Sequence, residues 1–468
     1  KKNKGKKIIV VQGLGFVGAV MSVVCCNTKN NEYAVIGVDL PNKNNYWKID
    51  SINSGVFPVV SSDKKVEEYF QNAMSKGNFY ATYDSCAYSY AHYIIVDINL
   101  DVLKESDEFN NLLDFNVNID PFVNSIKTIG KNCKEDVLIL VETTVPPGTC
   151  EKIVKPTLDK CLIERGLPTE KYCLGHSYER AMPGPNYIDS IKNFYRVFSG
   201  YDKKSEKEVE KFLMTIISTK KYPLTKLNNT NASEIAKVLE NSYRAMNIAF
   251  ITEWSRFAEE ASVNLYEVIN AIKKRPTHSN MMFPGLGVGG YCLTKDPLLA
   301  SWARVNFFDS KPLIQSENGV KVNDLMPLNA YNFILENLRF KKMQDLSFLF
   351  MGVSYRSDVS DTRYSPVELL YRFFIKDKVQ ISLHDPYTKY WEELNLKVNN
   401  SITGIFNKIY DVIIITTAHK EYKDDKLIME LLNLDRLLII DTVGLYNEKQ
   451  IDIICSKHDL KVLGRGDI

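Results

Sequence analysis

The stretch Ile8-Ile-Val-Val-Gln-Gly-Leu-Gly-Phe-Val-Gly18 decides the fold of this 468-residue chain. A short apolar run leads directly into a G-x-G-x-x-G motif, and a second apolar run, Ala34-Val-Ile-Gly-Val38, ends at Asp39. The order of strand, glycine turn, helix, strand and acid is the full context of a dinucleotide-binding fingerprint. We therefore predict an α/β domain with a parallel sheet that binds a dinucleotide.

Each glycine of this motif has its own expected role. Gly13 should make the tight turn after the strand, Gly15 should let a pyrophosphate approach the backbone, and Gly18 should pack the helix against the strand. The N-terminus of the following helix attracts phosphate. The Asp39 carboxylate can accept hydrogen bonds from ribose hydroxyls and repels a 2′-phosphate, so the predicted cofactor is NAD rather than NADP.

Composition and charge are those of an ordinary globular protein, with 45% hydrophobic and 25% charged residues and a formal charge of +2. Neither nucleic acid nor a membrane surface is an expected partner. The nine cysteines contain no CxxC pair and the six histidines are scattered, so we expect no metal and no disulfide framework. A cytoplasmic location is favoured.

The amino-terminal residues need separate attention. Basic residues 1–7 followed by an apolar run imitate a secretory signal, but Gln12 and the glycines after it break that run into a strand, a turn and a helix. No other apolar run approaches the roughly 18–20 residues that a membrane-spanning helix needs. We therefore expect no membrane segment.

Strands and helices keep alternating up to about residue 225. Strands are predicted at 93–98, 136–141, 172–175 and 221–227, and helices at about 108–130, 151–165 and 204–218. The polar loops 142–149 and 176–185 each follow a predicted strand. Ligands of open α/β sheets bind at the carboxyl ends of the strands, so both loops are candidates for a site.

From Asn231 the pattern changes to one uninterrupted helix that reaches about Ser262. Its apolar residues recur at helical spacing over roughly 32 residues, or about 48 Å. Asn231 and Glu234 form a capping-box-like start. Lys237 and Asn241 lie four residues apart and can point to one spot, although a solvated helix face would have the same spacing. Such a helix is expected to form a domain spine, a subunit contact or both.

The stretch Phe283-Pro-Gly-Leu-Gly-Val-Gly-Gly-Tyr-Cys-Leu-Thr-Lys-Asp-Pro297 places four glycines before Cys292. Asp296 followed by proline is typical of a helix start with Asp as the N-cap, and a helix N-terminus stabilises a thiolate. A catalytic cysteine and an idle cysteine in a glycine-rich turn both remain open here. Beside NAD, a thiolate would allow an alcohol to be oxidised beyond the aldehyde, through a thiohemiacetal and a thioester. Asp296, Glu179, Lys237 and Asn241 are candidates for the supporting roles.

A second, smaller parallel α/β unit is predicted toward the carboxyl terminus. Helices at 297–306 and from 324 past 338 precede it, its strands are expected at 346–353, 379–383, 411–417 and 437–441, and a helix at 366–376. It carries no second G-x-G-x-x-G motif. We therefore expect it to bind something other than a second NAD.

Together these motifs resemble the UDP-glucose/GDP-mannose dehydrogenase family over nearly the whole chain. Besides the first glycine motif, the segments that carry the resemblance are Thr143-Thr-Val-Pro-Pro-Gly148, Glu179-Arg-Ala-Met-Pro-Gly184, Glu234-Ile-Ala-Lys-Val-Leu-Glu-Asn241, Gly289-Gly-Tyr-Cys-Leu-Thr-Lys-Asp296, Asn323-Asp-Leu-Met-Pro327 and Asp361-Thr-Arg-Tyr-Ser-Pro366. The resemblance implies an α/β fold with two Rossmann-like parallel-sheet domains, joined by a long central helix and a helical dimerisation region. The implied domains are an NAD-binding domain at 1–225, a central domain with the cysteine loop at 226–325, and a UDP-sugar-binding domain at 326–468. A homodimer or higher homo-oligomer is also implied.

The resemblance further implies the NAD-dependent, four-electron oxidation of a sugar C6 hydroxyl to a carboxylate. Cys292 would be the nucleophile, Asp296 its acid/base neighbour, and Lys237 and Asn241 would hold the oxyanion and substrate. Thr144 would order water, and Glu179 would assist thioester hydrolysis. The implied cofactor contacts are Gly13, Gly15, Phe16, Val17, Gly18, Asp39, Thr144 and Arg363. The implied substrate contacts are Glu179, Arg180, Lys237, Asn241, Gly285, Gly289 and Arg356.

The loop after Glu179 narrows the expected substrate. UDP-glucose enzymes of the family typically carry a second glutamate four residues later, where this chain has Pro183. The loop looks like that of the branch that oxidises UDP-N-acetylhexosamines, UDP-GlcNAc or UDP-ManNAc, for surface polysaccharide synthesis, and loss of a glutamate would relieve crowding near an acetamido group. UDP-glucose and GDP-mannose remain alternatives. A two-electron β-hydroxyacid-type dehydrogenase and a non-enzymatic NAD-binding scaffold are the competing classes.

Three positions depart from the family pattern. Tyr178 stands where a proline usually precedes Glu179, Asp97-Ile-Asn99 replaces a Thr-Pro step near the cofactor, and Arg356 replaces a usual lysine. The cysteines other than Cys292, including Cys25 and Cys26, are expected to be small buried hydrophobes.

Overall fold

The computed structural model describes residues 5–28, 33–42, 45–59, 61–338 and 342–468, and these residues form two compact units. Unit 1 comprises Lys1–Leu103, Asn116–Leu239 and Leu299–Pro312. Unit 2 comprises Lys104–Phe115, Glu240–Leu298 and Leu313–Ile468. Each unit contains a mainly or wholly parallel sheet, so the predicted α/β fold class is confirmed.

The strands are short and mostly apolar. In chain order they are β1 (Lys7–Gln12), β2 (Tyr33–Val38), β3 (Phe79–Thr82), β4 (Tyr93–Val96), β5 (Val102–Ser106), β6 (Leu112–Val117), β7 (Leu138–Val141), β8 (Cys173–His176), β9 (Val197–Gly200), β10 (Thr225–Lys226), β11 (Ser347–Met351), β12 (Gln380–His384), β13 (Tyr390–Trp391), β14 (Leu396–Lys397), β15 (Val412–Ile415), β16 (Leu438–Asp441) and β17 (Asp459–Val462).

The helices connect these strands and form the central part of the chain. They are α1 (Phe16–Cys26), α2 (Tyr46–Asn53), α3 (Lys64–Lys76), α4 (Asp120–Asn132), α5 (Lys155–Glu164), α6 (Tyr187–Lys192), α7 (Lys203–Ile216), α8 (Thr230–Glu260), α9 (Leu265–Lys273), α10 (Asp296–Asn306), α11 (Ile314–Asp324), α12 (Met326–Asn337), α13 (Pro366–Lys376), α14 (Asp425–Leu432) and α15 (Glu448–Cys455). In the described part of the chain, no helix is both long and apolar enough to cross a membrane.

The sheet of unit 1 has the strand order β10-β9-β8-β7-β4-β1-β2-β3. Its strands pair in parallel except at β8 and β9. The chain runs outward from β1 through β2 to β3 and then returns to β4 on the other side of β1. Ligands bind at such a reversal of strand order, beyond the carboxyl ends of the strands. Gly13 and Asp97, which follow β1 and β4, therefore lie at this point.

The sheet of unit 2 has the order β12-β11-β15-β16-β17 and is parallel throughout. Alternate residues of β11 belong to different hydrophobic clusters. Phe348 packs in the cluster that contains Phe374, and Leu349 packs in the cluster that contains Ile413. Burial on both faces is the reason that the sequence of these strands is continuously apolar rather than alternating.

The long helix α8 extends over 31 residues and begins at Thr230, close to the predicted length and start, but the capping box predicted there does not form. The Asn229 side chain accepts a hydrogen bond from the Ala232 N–H, so Asn229 caps the helix. Asn231 instead donates to Glu151, and Glu234 accepts hydrogen bonds from the loop after β7. Asn231 and Glu234 therefore do not form a capping box, because both side chains bind residues outside the helix.

Several other element predictions were wrong in part. Residues 108–117 are not helical, because β5 and β6 form a two-stranded sheet before α4. The strand expected at 221–227 is reduced to β10, and residues 324–338 lie in two helices, α11 and α12, with a break at Leu325. The predicted extension beyond residue 338 enters residues 339–341, which lie outside the described part, as do residues 1–4 of the signal-like segment. Cys25 and Cys26 are buried as predicted, whereas Cys86 and Cys455 are exposed.

Candidate active site

The glycine turn after β1 has the geometry that dinucleotide binding requires. Gly13 has φ +95°, and a Cβ built on it would lie 2.2 Å from the Asp97 carbonyl oxygen. A Cβ on Gly18 would lie 1.9 Å from the Gly13 carbonyl oxygen, so only glycine fits at either position. A Cβ on Gly15 would meet no atom within 4 Å. Gly13 and Gly18 are therefore needed by the fold, whereas Gly15 borders open space that suits a pyrophosphate.

Asp39 is fixed beside this turn at the end of β2. Its carboxylate accepts hydrogen bonds from the Leu14 N–H at 3.1 Å and the Leu40 N–H at 2.7 Å, and the Lys48 ammonium lies 3.4 Å away. Phe16 and Val17 are the first two residues of α1, whose N-terminus faces the turn. An oriented acid next to a helix N-terminus and an open glycine fits the ribose and pyrophosphate of NAD.

The loop after β7 contains two adjacent threonines that differ in burial. Thr143 is buried, and its hydroxyl oxygen lies 3.0 Å from both the Val96 carbonyl oxygen and the Ile98 nitrogen. Thr144 is partly exposed, and among the described contacts its hydroxyl does not make the hydrogen bonds that hold Thr143 in place. Glu234 of α8 accepts hydrogen bonds from the Gly148 N–H at 2.6 Å and the Cys150 N–H at 2.9 Å, which fixes the far end of the loop. Thr144 is therefore the threonine of this loop whose side chain is accessible to a ligand.

The loop after β8 carries Glu179 and places Tyr178, its neighbour in the chain, next to Lys237 of α8. The Glu179 carboxylate accepts a hydrogen bond from the Ala181 N–H, which orients it within its own loop. Tyr178 is buried, and both the Lys237 ammonium and the Arg180 guanidinium lie over its ring. The predicted site residues Arg180 and Lys237 thus share one buried aromatic neighbour, and Glu179 directly follows it in the chain.

A buried charge cluster lies behind these loops and was not predicted from the sequence. Glu142 forms an ion pair with Arg196, and both side chains are buried. Burial raises the Glu142 pKa to about 7, although the Arg196 charge opposes the rise. Burial and the nearby Glu142 and Glu179 carboxylates raise the pKa of Asp97 as well. Asp97 directly follows the buried strand β4, and an acid at that place was a usable sequence signal for this cluster. Nothing in the sequence near Arg196 indicated that Glu142 is its partner.

The cysteine loop lies in unit 2, where Cys292 is exposed in the turn that leads into α10. The Cys292 carbonyl oxygen accepts the Asp296 N–H at 2.9 Å. Asp296 is fully buried, its carboxylate accepts a hydrogen bond from Asn241 Nδ2 at 2.6 Å, and the Lys295 ammonium lies 3.3 Å away. The prediction that Asp296 is the N-cap of α10 was off by one position, because Asp296 is the first residue of the helix. Its carboxylate binds Asn241.

The glycines before Cys292 pack closely against the segment that follows β11. A Cβ on Gly287 would lie 2.4 Å from Pro366 Cβ, and a Cβ on Gly289 would lie 2.4 Å from Tyr355 Cβ. Gly290 has φ +77° and faces the Tyr355 ring. Gly285 meets no atom within 4 Å of a built Cβ and borders open space. Three of the four glycines therefore bring the cysteine loop against one neighbouring segment.

The segment after β11 also carries the two predicted arginines. Arg356 is exposed, and Arg363 donates to both carboxylate oxygens of Asp361 at 2.9 and 2.6 Å. The buried Asp385 carboxylate accepts the Val353 N–H at 2.9 Å and anchors the beginning of the segment. The proposed contacts of Arg356 with substrate and of Arg363 with NAD stay predictions.

Among the residues that the structure describes, one group of possible metal ligands occurs, formed by Asp358, His419 and Glu421 in unit 2. Both ring nitrogens of His419 already have partners, because Nδ1 accepts the Asp358 N–H at 2.9 Å and Nε2 lies 3.1 Å from the Asp385 carboxylate. These contacts give His419 a structural role in holding the segment after β11. The expectation that no metal takes part stays a prediction.

The fold and the glycine turn define a dinucleotide-binding protein of the α/β class, and comparison with known proteins gives its family. Three models of the UDP-glucose/GDP-mannose dehydrogenase family match the chain: the NAD binding domain at 6–217, the central domain at 231–321 and the UDP binding domain at 349–448. The chain belongs to the UDP-glucose/GDP-mannose dehydrogenase family. It is therefore a nucleotide-sugar dehydrogenase with NAD as its cofactor.

Individual relatives match over the full length. A UDP-N-acetyl-D-mannosamine dehydrogenase of Methanococcus vannielii is 27% identical over 100% of this chain and 99% of its own. An NDP-N-acetyl-D-galactosaminuronic acid dehydrogenase of Ralstonia nicotianae is 23% identical over 95% of this chain and 97% of its own. The solved structure of a UDP-D-ManNAc dehydrogenase of Pyrococcus horikoshii has the same fold, with a TM-score of 0.80 at 24% identity over 98% of this chain and 100% of that one.

Proposed function

We propose that this enzyme oxidises the C6 hydroxyl of a UDP-N-acetylhexosamine to the uronic acid through a thioester on Cys292, and that the product serves surface polysaccharide synthesis. The observation that carries the proposal is the arrangement at the start of α10. Cys292 is exposed, and the buried Asp296 one helical turn later is held by Asn241 and lies close to Lys295. A buried carboxylate with two polar neighbours beside an accessible thiol suits covalent catalysis with proton transfer.

In the proposed mechanism, residues of this chain support each step. Bound NAD supplies the hydride acceptor for both oxidations, one molecule for each. The Cys292 thiolate adds to the aldehyde carbon and forms a C–S bond, and the Lys237 ammonium and Asn241 amide stabilise the oxyanion. The second oxidation leaves a thioester, and water oriented by Thr144 and Glu179 cleaves the C–S bond. The hydrolysis releases the acid and regenerates the Cys292 thiolate. Asp296 accepts the proton that the C6 hydroxyl loses in the first oxidation and, later, the proton that water loses in the hydrolysis.

Two observations support an N-acetylated sugar. Pro183 occupies the position where UDP-glucose enzymes typically carry a second glutamate, and Gly184 after it meets no atom within 4 Å of a built Cβ. The named relatives in Methanococcus vannielii and Ralstonia nicotianae act on N-acetylated sugars by their names. UDP-ManNAc and UDP-GlcNAc are the proposed substrates, and UDP-glucose and GDP-mannose are the alternatives.

We propose the same domain functions as the sequence predicted. Residues 1–225 bind NAD, residues 226–325 form the central domain with the cysteine loop, and residues 326–468 bind the UDP part. The family models at 6–217, 231–321 and 349–448 support this division. A cytoplasmic location stays a prediction from the sequence.

We also propose that α8 joins two copies of the chain. Phe250, Trp254 and Phe257 recur on one side of this helix and are 53%, 46% and 59% exposed. Trp254 packs edge-on against Phe257 and is tilted against Phe250, which makes a continuous aromatic surface. Contiguous exposed apolar surface of this kind marks an interaction site, and a second copy of the same helix would offer the same surface.

A turnover assay with purified enzyme tests the substrate and the stoichiometry together. NAD reduction is followed with UDP-ManNAc, UDP-GlcNAc, UDP-glucose and GDP-mannose, and the sugar product is identified by mass spectrometry. We expect two NADH per sugar and a uronic acid from an N-acetylated substrate. One NADH per sugar with no acid would overturn the thioester mechanism, and preferred turnover of UDP-glucose or GDP-mannose would overturn the substrate.

A further inference from the structure

Tyr178 is a buried aromatic residue whose ring lies near two cationic side chains of the candidate site. Its side chain is 2% exposed. The Lys237 ammonium lies 5.4 Å from the centre of its ring, and the Arg180 guanidinium carbon lies 5.0 Å from that centre. Arg180 also lies 5.6 Å from the ring of Phe194, so it has a second aromatic neighbour. All four residues belong to unit 1.

The face of an aromatic ring attracts a cation within about 6 Å, and the attraction strengthens when water is excluded. Lys237 is partly buried, and Tyr178 is almost completely buried. A lysine side chain is long and flexible, so a contact that favours one direction helps to define where its ammonium lies. The Tyr178 ring face supplies one such direction for the Lys237 ammonium.

The alternative role for Tyr178 is to fill space in the core. Core packing alone would be served by any apolar residue of similar size. The location of two cations over the ring is the feature that separates an electrostatic role from simple filling of space.

We propose that Tyr178 is a positioning residue that fixes the Lys237 ammonium through the face of its ring. The inference rests on the proposed function for the role of Lys237 at the oxyanion. Its consequence is that the strength of the ring face, rather than the size or the hydroxyl of the side chain, sets the efficiency of the oxidation step.

Replacement of Tyr178 by phenylalanine and by phenylalanines with one, two and three ring fluorines tests this directly, because fluorine weakens the ring face and leaves the shape nearly unchanged. We expect Tyr178→Phe to retain activity within about threefold, and kcat to fall stepwise by about tenfold in total along the fluorine series. KM for NAD should stay constant. A flat kcat series would overturn the proposal, as would a Tyr178→Phe enzyme that is as impaired as Tyr178→Leu.

Tyr172 provides a matched control in the same unit. It is also buried, and the Lys155 ammonium lies 5.1 Å from its ring centre. The same fluorine series at position 172, made in the Tyr172→Phe background, should leave kcat unchanged along the series. An equal loss at both positions would show a general effect of fluorinated rings and would overturn the specific role of Tyr178.

A second measurement does not depend on turnover. The rate at which Lys237 reacts with an amine-selective reagent is followed by peptide mass spectrometry, and we expect it to increase in Tyr178→Leu and to stay unchanged in Tyr178→Phe. An unchanged rate in Tyr178→Leu would contradict the proposal. A wild-type enzyme that oxidises no nucleotide sugar would refute the proposed function, whereas wild-type turnover with a flat fluorine series would refute this inference alone.

Discussion

Asn241 Nδ2 donates a hydrogen bond to Asp296 Oδ2 at 2.6 Å, and this bond joins α8 to the first residue of α10. Asp296 is fully buried, so its carboxylate depends on the partners that the chain supplies. Asn241 therefore has a second role besides the proposed contact with substrate. It fixes the acid that follows the nucleophile by one helical turn.

Loss of this bond should impair both stability and turnover. We expect Asn241→Ala to lower the free energy of unfolding by about 1–3 kcal/mol, because a buried carboxylate loses a donor. We expect kcat to fall by about 10²-fold through misplacement of the acid. Urea unfolding and NAD reduction measure the two effects. Asn247→Ala, on the same helix, is the control, and equal losses in the two variants would contradict the specific role.

Replacement of the nucleophile should stop acid formation. We expect Cys292→Ala to lower the rate of uronic acid production by about 10³-fold or more, because no thioester can form. Product analysis by mass spectrometry measures this. Cys86→Ala changes another exposed cysteine and should leave the rate unchanged. Full acid production by Cys292→Ala would show that the reaction proceeds without a covalent intermediate.

The glycine turn allows fold and cofactor binding to be separated. We expect Gly15→Ala to keep the melting temperature of the apo enzyme, since its Cβ meets no atom within 4 Å, and to weaken NAD affinity by about tenfold or more. Gly13→Ala should lower the melting temperature itself, because its Cβ would clash with the Asp97 backbone at a positive φ. Thermal unfolding with and without NAD distinguishes the two. Equal destabilisation of both apo variants would contradict the open space at Gly15.

Glu234 should make stability depend on pH. Burial raises its pKa from 4.5 to about 7, so the folded chain binds an extra proton between these values, and the free energy of unfolding falls as pH rises through this window. The fall is about 3 kcal/mol for one such group. Burial also raises the pKa of Glu142 to about 7 and that of Asp441 to about 6, so Glu234→Gln should remove only the part of the total fall that Glu234 contributes. Urea unfolding at pH 5 and pH 8 measures it, with the exposed Glu170→Gln as control. An unchanged pH dependence would mean that Glu234 is ionised in the folded chain at pH 5.

The aromatic surface of α8 should control association. We expect Trp254→Glu to shift the enzyme toward monomer in analytical ultracentrifugation, because a charge would be buried in the contact. Ile409 is 92% exposed elsewhere in unit 2, and Ile409→Glu should leave the oligomeric state unchanged. A monomeric wild type, or a Trp254→Glu enzyme with the wild-type mass, would contradict the proposed contact.

Features that depend on neighbouring residues were predictable from the sequence. The turn at Gly13 and Gly18 is set by spacing within six residues, and the structure gives both glycines the expected close contacts. The start of α10 near Asp296 and the length of α8 follow from local helix signals and were also close to correct. The family motifs then supplied roles that no local pattern contains.

Features that depend on partners distant in the chain were not predictable. Glu234 looked like a capping residue, but its carboxylate binds Gly148 and Cys150, more than eighty residues earlier. Glu142 and Arg196 are 54 residues apart, and each looks like an ordinary surface charge in its own segment. The strand β6 was read as helix, because its alternation is weak and its pairing with β5 outweighs the local preference.

The close contact of Gly289 with Tyr355 has an evolutionary consequence. The two positions are separated by more than sixty residues, yet the backbone of one lies against the side-chain base of the other. A larger residue at position 289 would fit only if the backbone near Tyr355 moved away. A larger residue at position 287 would likewise require Pro366 to move. The loop that contains Cys292 and the segment that carries Arg356 are thus expected to change together among relatives. A substitution in the segment that contacts the nucleotide sugar therefore limits which sequences of the Cys292 loop can pack against it.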